Sequence, residues 1–171
     1  MPSPTYVALA KTVLTGTATT VSFTGIDTTY TDLVILCSAR DTGTGANYTI
    51  DVRLNGNTNA DFSTTSLEGS GSAAASGRWS ATSIGRAGMS DGGSQTANTF
   101  GSSEIYFPNY RSTQYKVFSS TGVTENNATA AAIRCFANLK SDTTAITQIE
   151  LRPDTGFASG SRFDLYGIKN S

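Results

Sequence analysis

Side chains that could do chemistry are few in this chain. It contains no histidine, which removes the commonest general base near neutral pH and every Ser-His or Cys-His nucleophile pair. Paired carboxylates can still hydrolyse glycosides, and Glu104, Glu125, Glu150 and Asp164 lie on or beside strand-like runs. They stand singly instead of at alternate positions of one strand, which is the pattern of a solvated face. A cysteine nucleophile needs an activator, and Cys37 sits in LVILCSA, a run too apolar to supply one. No catalytic residue is assigned, and the chain is read as a non-enzyme.

The remaining candidates concern binding. Cys37 and Cys135 both read as small buried hydrophobes in apolar runs. A Cys37–Cys135 disulfide is geometrically open, although nothing indicates an oxidising compartment. Two cysteines without histidine argue against zinc. The loop acids Asp27, Asp41, Asp51 and Asp91 are scattered and match no EF-hand loop, so a structural Ca²⁺ stays open and no cofactor is expected. Gly69-Ser70-Gly71 and Gly92-Gly93 match no phosphate-binding glycine pattern. The sequons at Asn47 and Asn127 are what a Thr-rich chain produces by chance. Aromatic and arginine side chains are enriched at contact surfaces. On that ground Arg78, Trp79, Tyr106, Tyr110 and Tyr115 are the candidate partner-contact residues, and exposed members of this set would also suit stacking on a sugar ring.

The elements that would position these residues are strands. Val21 and Phe23 alternate with polar neighbours; DLVILCSA (residues 32–39) reads as a central strand buried on both sides; Tyr48, Ile50, Val52 and Leu54 share one face, and Asn55-Gly56 closes that strand with a turn. Ile105 and Phe107 oppose Glu104 and Tyr106, and Pro108 stops the strand. YKVFSSTGVT (115–124) and TAAAIRCFANL (129–139) follow, the latter with Ile133, Cys135 and Ala137 on one side. The clearest hairpin candidate is 146–171: Ile149 and Leu151 alternate in one run, Phe163 and Leu165 in the next, and Pro153-Asp154-Thr155-Gly156 supplies turn chemistry between them.

Residues 1–20 read as an N-terminal arm or edge strand, with Pro2 and Pro4 preventing early regular structure. Residues 21–171 read as one domain. Within it, residues 69–98 hold few large apolar side chains and read as a long surface excursion with one strand at 78–84, not as a linker, because the segments on either side are alike. No convincing helix is present. About eight to ten short strands between turns indicate an all-β antiparallel sandwich of jelly-roll type, with an immunoglobulin-like sandwich as the competitor.

Composition sets outer bounds. A length of 171 residues suits one domain with its own core. Charged residues make up 15% and the net charge is −1, so there is no basic excess to meet nucleic acid or anionic lipid. No run approaches the roughly 20 apolar residues of a membrane span. The opening MPSPTYVALAKTVL lacks a basic region and an unbroken apolar core, so synthesis in a cytoplasm is expected.

Several segments carry a resemblance. TGIDTTYTDLVILCSAR, TFGSSEIYFPNY, TENNATAAAIRC and above all the closing G-F-x-x-G-S-R-F-x-L-Y-G-I pattern, Gly156 to Ile168, resemble small structural proteins of tailed bacteriophages. The likeness covers most of the chain outside 69–98 and transfers no active-site residue. It implies a jelly-roll virion protein that decorates or cements a capsid, or forms part of a head or tail fibre, commonly as a homotrimer. The implied partners are the major capsid protein or another virion protein; the runner-up is a carbohydrate- or receptor-binding module. The residues 1–20 and the surroundings of Trp79 are the expected contacts.

Overall fold

The computed structural model describes residues 5–127 and 131–169. Among these residues the chain forms twelve strands and no helix: β1 (Tyr6–Val13), β2 (Val21–Thr24), β3 (Asp32–Ala39), β4 (Asn47–Leu54), β5 (Phe62–Gly69), β6 (Ala74–Thr82), β7 (Gly85–Asp91), β8 (Gly101–Phe107), β9 (Lys116–Thr124), β10 (Ala132–Lys140), β11 (Gln148–Arg152) and β12 (Arg162–Ile168). They build an antiparallel β-sandwich. One sheet has eight strands in the order β1-β12-β3-β8-β9-β10-β5-β6, and the other has four in the order β2-β11-β4-β7. The strand count exceeds the expected one because two segments not read as strands, β5 and β7, join the sheets.

The core follows from period-two alternation. Leu33, Ile35 and Cys37 of β3, Ile105 and Phe107 of β8, and Phe163 and Leu165 of β12 face Phe23 of β2, Ile50, Val52 and Leu54 of β4, and Ile149 and Leu151 of β11. Phe107 stacks on Phe118 at 4.7 Å, and Phe62 meets Phe118 edge-on at 6.4 Å. The expectation that β3 is buried on both sides holds only at its start, since Leu36 and Ser38 are exposed.

The expected closing hairpin is not formed. β11 lies in the small sheet and β12 in the large one. Residues 153–161 carry the chain across the sandwich, and Phe157 within them is fully buried against Phe163 at 4.7 Å. Backbone bonds fix the crossing: Phe157 N–H donates to Ala18 O (2.7 Å), Thr42 N–H to Gly156 O (2.8 Å) and Ala158 N–H to Arg40 O (2.7 Å). A tight hairpin uses about two to five loop residues. Here the intervening phenylalanine needs a core site, and that draws the two strands onto opposite sheets.

The surface excursion is corrected in its second half. β6 is indeed an outer strand, but β7 is buried along nearly its whole length. It is the edge of the small sheet, and its free backbone groups are satisfied by side chains from the inner face of the large one. Ser103 Oγ accepts from Met89 N–H (2.9 Å) and donates to Met89 O (3.1 Å). Thr64 Oγ1 accepts from Arg86 N–H (3.3 Å), and Asn138 Nδ2 donates to Arg86 O (2.9 Å). Asp41 N–H donates to Asp91 O (2.6 Å). Such close approach requires small residues. A Cβ on Gly122 would lie 2.7 Å from Met89 Cγ, and one on Gly101 would lie 2.9 Å from Met89 O. The low hydrophobicity that made 69–98 look like surface is the condition for a strand docked edge-on through backbone groups.

Residues 1–20 contain an edge strand. β1 pairs with β12 from Tyr6↔Ile168 to Val13↔Arg162, with an irregularity between Ala8 and Ala10, and Leu9 and Leu14 pack on the core. Residues 1–4 of the expected arm lie outside the described residues.

Candidate functional site: the outer face of the large sheet

β10 turns one expected face inside out. Ile133, Cys135 and Ala137 do share a side, but it is the solvent side; Phe136, Asn138 and Lys140 point inward. Each inward polar group has a partner. Asn138 Oδ1 accepts from Thr64 Oγ1 at 2.6 Å, Lys140 Nζ meets Asp61 Oδ2 at 2.6 Å, and Arg134 bonds Glu68 at 2.7 Å. The expected burial of Cys135 is therefore corrected. Cys135 is exposed while Cys37 is buried, so the two thiols stay free and the disulfide does not form. Burial, with Asp164 adding to it, pushes the Cys37 thiol up to about 12, which makes it inert.

The inversion leaves an aliphatic cluster on the outside. Leu67 (61% exposed), Ile133 (51%), Val123 (38%) and Val117 (59%) stand on β5, β10 and β9. Register brings three of them together: Ile133 lies opposite Val123, and Leu67 lies opposite Cys135, diagonal to Ile133, whereas Val117 pairs with Leu139 about 20 Å further along β9. Serine, threonine and alanine occupy most of the surrounding outward positions of β6, β9 and β10, so this end of the face is weakly charged. Seven inter-strand spacings and eight residues of strand give it roughly 34 Å by 25 Å. Beside the cluster lies a shallow depression of about 350 Å³, lined by Glu104, Tyr106, Ser119, Thr121 and Cys135 among others.

The five expected contact residues do not form one patch. Arg78 is on the outer face of β6, where it reaches Thr65 Oγ1 at 3.4 Å. Trp79 points to the opposite face and is half-buried, with the Arg86 guanidinium 4.5 Å above its ring. That stacking ties the edge of the large sheet to β7. Tyr106 is half-buried on the outer face and its hydroxyl donates to Asp32 Oδ2 at 2.8 Å; this bond, then burial, pushes its phenol up. Tyr110 is fully buried, and its hydroxyl donates to Asp27 O, so it is a core residue and not a contact. Tyr115 is 57% exposed in the loop before β9.

The carboxylates weighed for hydrolysis are dispersed. Glu150 is held by Arg152 (2.7 Å) and Arg53 (3.4 Å) on the small sheet. Glu125 accepts from the N–H groups of Asn126 (3.1 Å) and Asn127 (3.0 Å). Glu104 and Asp164 are both cross-strand neighbours of Leu36, hence about 10 Å apart, and Asp164 is paired with Arg162 at 2.6 Å. Among the described residues no group of three or more Asp, Glu, Cys or His gathers to hold a metal. Of the loop acids, Asp41 accepts from Gly43 N–H (2.7 Å) and Thr155 N–H (3.2 Å), and Asp27 from Thr29 N–H (3.0 Å). Asn47 accepts from Gln95 Nε2 (2.7 Å) and Thr124 Oγ1 (2.8 Å), whereas the Asn127 sequon lies partly outside the described residues.

Sequence reasoning missed the aliphatic cluster. Its signal was present as the apolar alternation of Ile133 and Val123, but alternation does not say which face is inside. No family model matches the chain, and no curated protein or solved structure matches it either.

Proposed function

We propose that this protein is a non-enzymatic structural component of a tailed-phage virion. In this reading it is a capsid decoration or cement protein, assembled in the host cytoplasm as a homotrimer. The observation that carries the reading is the exposed Leu67–Ile133–Val123 cluster on the outer face of the large sheet. The face offers roughly the 800 Å² per partner that a stable protein interface uses, and an apolar centre with a polar rim is the usual anatomy of one. Contacts across neighbouring shell subunits would stabilise the particle by mass action. The resemblance of the closing segment supplies the virion context. The jelly-roll label is supported by the interleaved order β2-β11-β4-β7.

The test pairs two measurements. Quantitative mass spectrometry of purified particles should find the chain in amounts close to those of the main shell protein; a few copies would move it to a fibre, and none would end the virion reading. The double variant Leu67→Glu/Ile133→Glu should fold like the wild type, because both positions are exposed, and should lose particle occupancy. Wild-type occupancy would remove this face from the account.

A second reading, a carbohydrate- or receptor-binding module, is favoured by the depression that gathers Glu104, Tyr106 and Thr121. A carboxylate, hydroxyls and an aromatic edge are groups that bind sugars. A glycan array with no hits would discard it.

A further inference from the structure

Two lysines are buried side by side on the inner face of the large sheet, where Lys140 of β10 is register-paired with Lys116 of β9. Lys116 is accounted for: its ammonium donates to the carbonyls of Gln114 (2.6 Å), Ser112 (2.7 Å) and Thr143 (3.4 Å). Lys140 is different. Its side chain is 2% exposed, and its Nζ lies 2.6 Å from Asp61 Oδ2 and 3.5 Å from Asp142 Oδ2 and sits 5.0 Å from the centroid of the Phe62 ring.

The acid is locked in place. Ser141 donates to the Asp61 carbonyl through both its N–H (3.0 Å) and its hydroxyl (3.1 Å), so the chain before β5 is fastened to the end of β10. Asn57 Nδ2 donates to Asp61 Oδ2 at 3.3 Å. Asp61 Oδ1 is buried without a hydrogen-bond partner. A structural ion pair is stable when its remaining lone pairs are satisfied; here one carboxylate oxygen has no donor.

We propose that Lys140 and Asp61 condense into an intramolecular isopeptide bond, Nζ to Cγ, with Asp142 as the proton relay. The ammonium has three protons and the amide keeps one. The first passes to Asp142, the amine lone pair attacks Asp61 Cγ, and the Nζ–Cγ bond forms. The Cγ–O bond then breaks, and the oxygen leaves as one water with the other two protons, one of them returned by Asp142. Asp142 ends as it began, and the charge of the pair cancels. No oxidant, cofactor or activated donor is required.

The surroundings suit each role. Asp142 is held below the ordinary carboxylate range by the backbone N–H of Thr144 (2.8 Å) and by its hydroxyl, so it stands ionised beside the ammonium whose proton it relays. Asn57 is placed to stabilise the oxygen charge that develops in the tetrahedral intermediate. The 2.6 Å contact between Lys140 Nζ and the Asp61 carboxylate replaces a bimolecular encounter. Condensation also removes a buried charge pair and the unpartnered oxygen. The bond would join residues separated by 79 positions and staple β10 to the chain entering β5.

The experiment is the intact mass of the purified full chain under denaturing conditions, with peptide mapping. The expected mass is one water below that of the sequence, with a branched peptide joining Lys140 to Asp61. A chain at its full sequence mass overturns the proposal. Lys140→Arg keeps the cation and should restore full mass; water loss that persists there would locate the modification elsewhere and also overturn it. Asp142→Asn should fold and accumulate the bond far more slowly, and bond formation at the wild-type rate would remove Asp142 as the relay. None of these outcomes depends on the virion reading.

Discussion

Ser103→Ala removes one oxygen from the interior and tests how β7 is held. That hydroxyl serves both backbone groups of Met89, accepting from N–H at 2.9 Å and donating to C=O at 3.1 Å. Met89 and Ser103 are both buried, so water has no access to replace it. Each backbone group left unsatisfied costs about 1–3 kcal/mol, and partial relaxation brings the expected total to about 2–4 kcal/mol. For a chain of 171 residues, each kcal/mol moves Tm by about 2–4 °C, so a fall of roughly 4–16 °C is expected. Urea unfolding should show a lower midpoint at an unchanged slope. Ser119→Ala, on the exposed side of β9, is the control and should change stability by less than about 0.5 kcal/mol. If Ser103→Ala stays within that same margin, β7 is not held through its backbone edge and the account of its docking fails.

Four further outcomes are expected. Gly122→Ala would place a Cβ 2.7 Å from Met89 Cγ and should cost about 1–3 kcal/mol in chemical denaturation, since the neighbour is partly backbone. Burial raises Asp51 from 3.8 to about 7, with Asp154 adding and Arg86 and Arg152 opposing. The folded state then keeps a proton that the unfolded chain releases, so this group lowers stability as pH rises across that window. Asp51→Asn should gain stability relative to wild type between pH 4 and 7 and hold the gain above 7; a difference that is flat with pH refutes the assignment. Thiol labelling of the native protein should modify Cys135 quickly and Cys37 only on unfolding, and two equally fast thiols would contradict the burial of β3. Tyr110→Phe should destabilise by about 1–2 kcal/mol through loss of the bond to Asp27 O and leave particle occupancy unchanged.

Deletion of residues 1–20 takes on a different meaning from that of removing a loose arm. β1 covers the edge of β12, and Leu9 and Leu14 pack on the core. The deletion exposes a new sheet edge, so any loss of particle binding would be mixed with loss of stability. The outer-face variants avoid that ambiguity.

The sequence by itself determined the class and most of the strands. Thr-rich, His-free composition and period-two runs mark an all-β chain, and the alternations at Val21–Phe23, Ile50–Leu54, Ile105–Phe107 and Phe163–Leu165 all became inward faces. Those faces were legible because large apolar side chains on one side of a strand leave little choice of which side is buried. Tertiary structure decided the rest wherever local chemistry was balanced. β10 carries Ile133 and Cys135 on one side and Arg134, Asn138 and Lys140 on the other, and only the presence of Glu68 and Thr64 on the neighbouring β5, and of Asp61 just before it, lets the polar side go in. β11 and β12 read as a hairpin because a turn sequence lies between them; the need of Phe157 for a core site, set by residues far away in sequence, sends them to different sheets. β7 looked like surface because it lacks large side chains, and it is buried because its partners bind backbone, which a sequence pattern does not display. The same long-range pairing that hides β7 exposes Leu67 beside Ile133 and Val123, so the candidate contact face came into being only when the sheets were assembled.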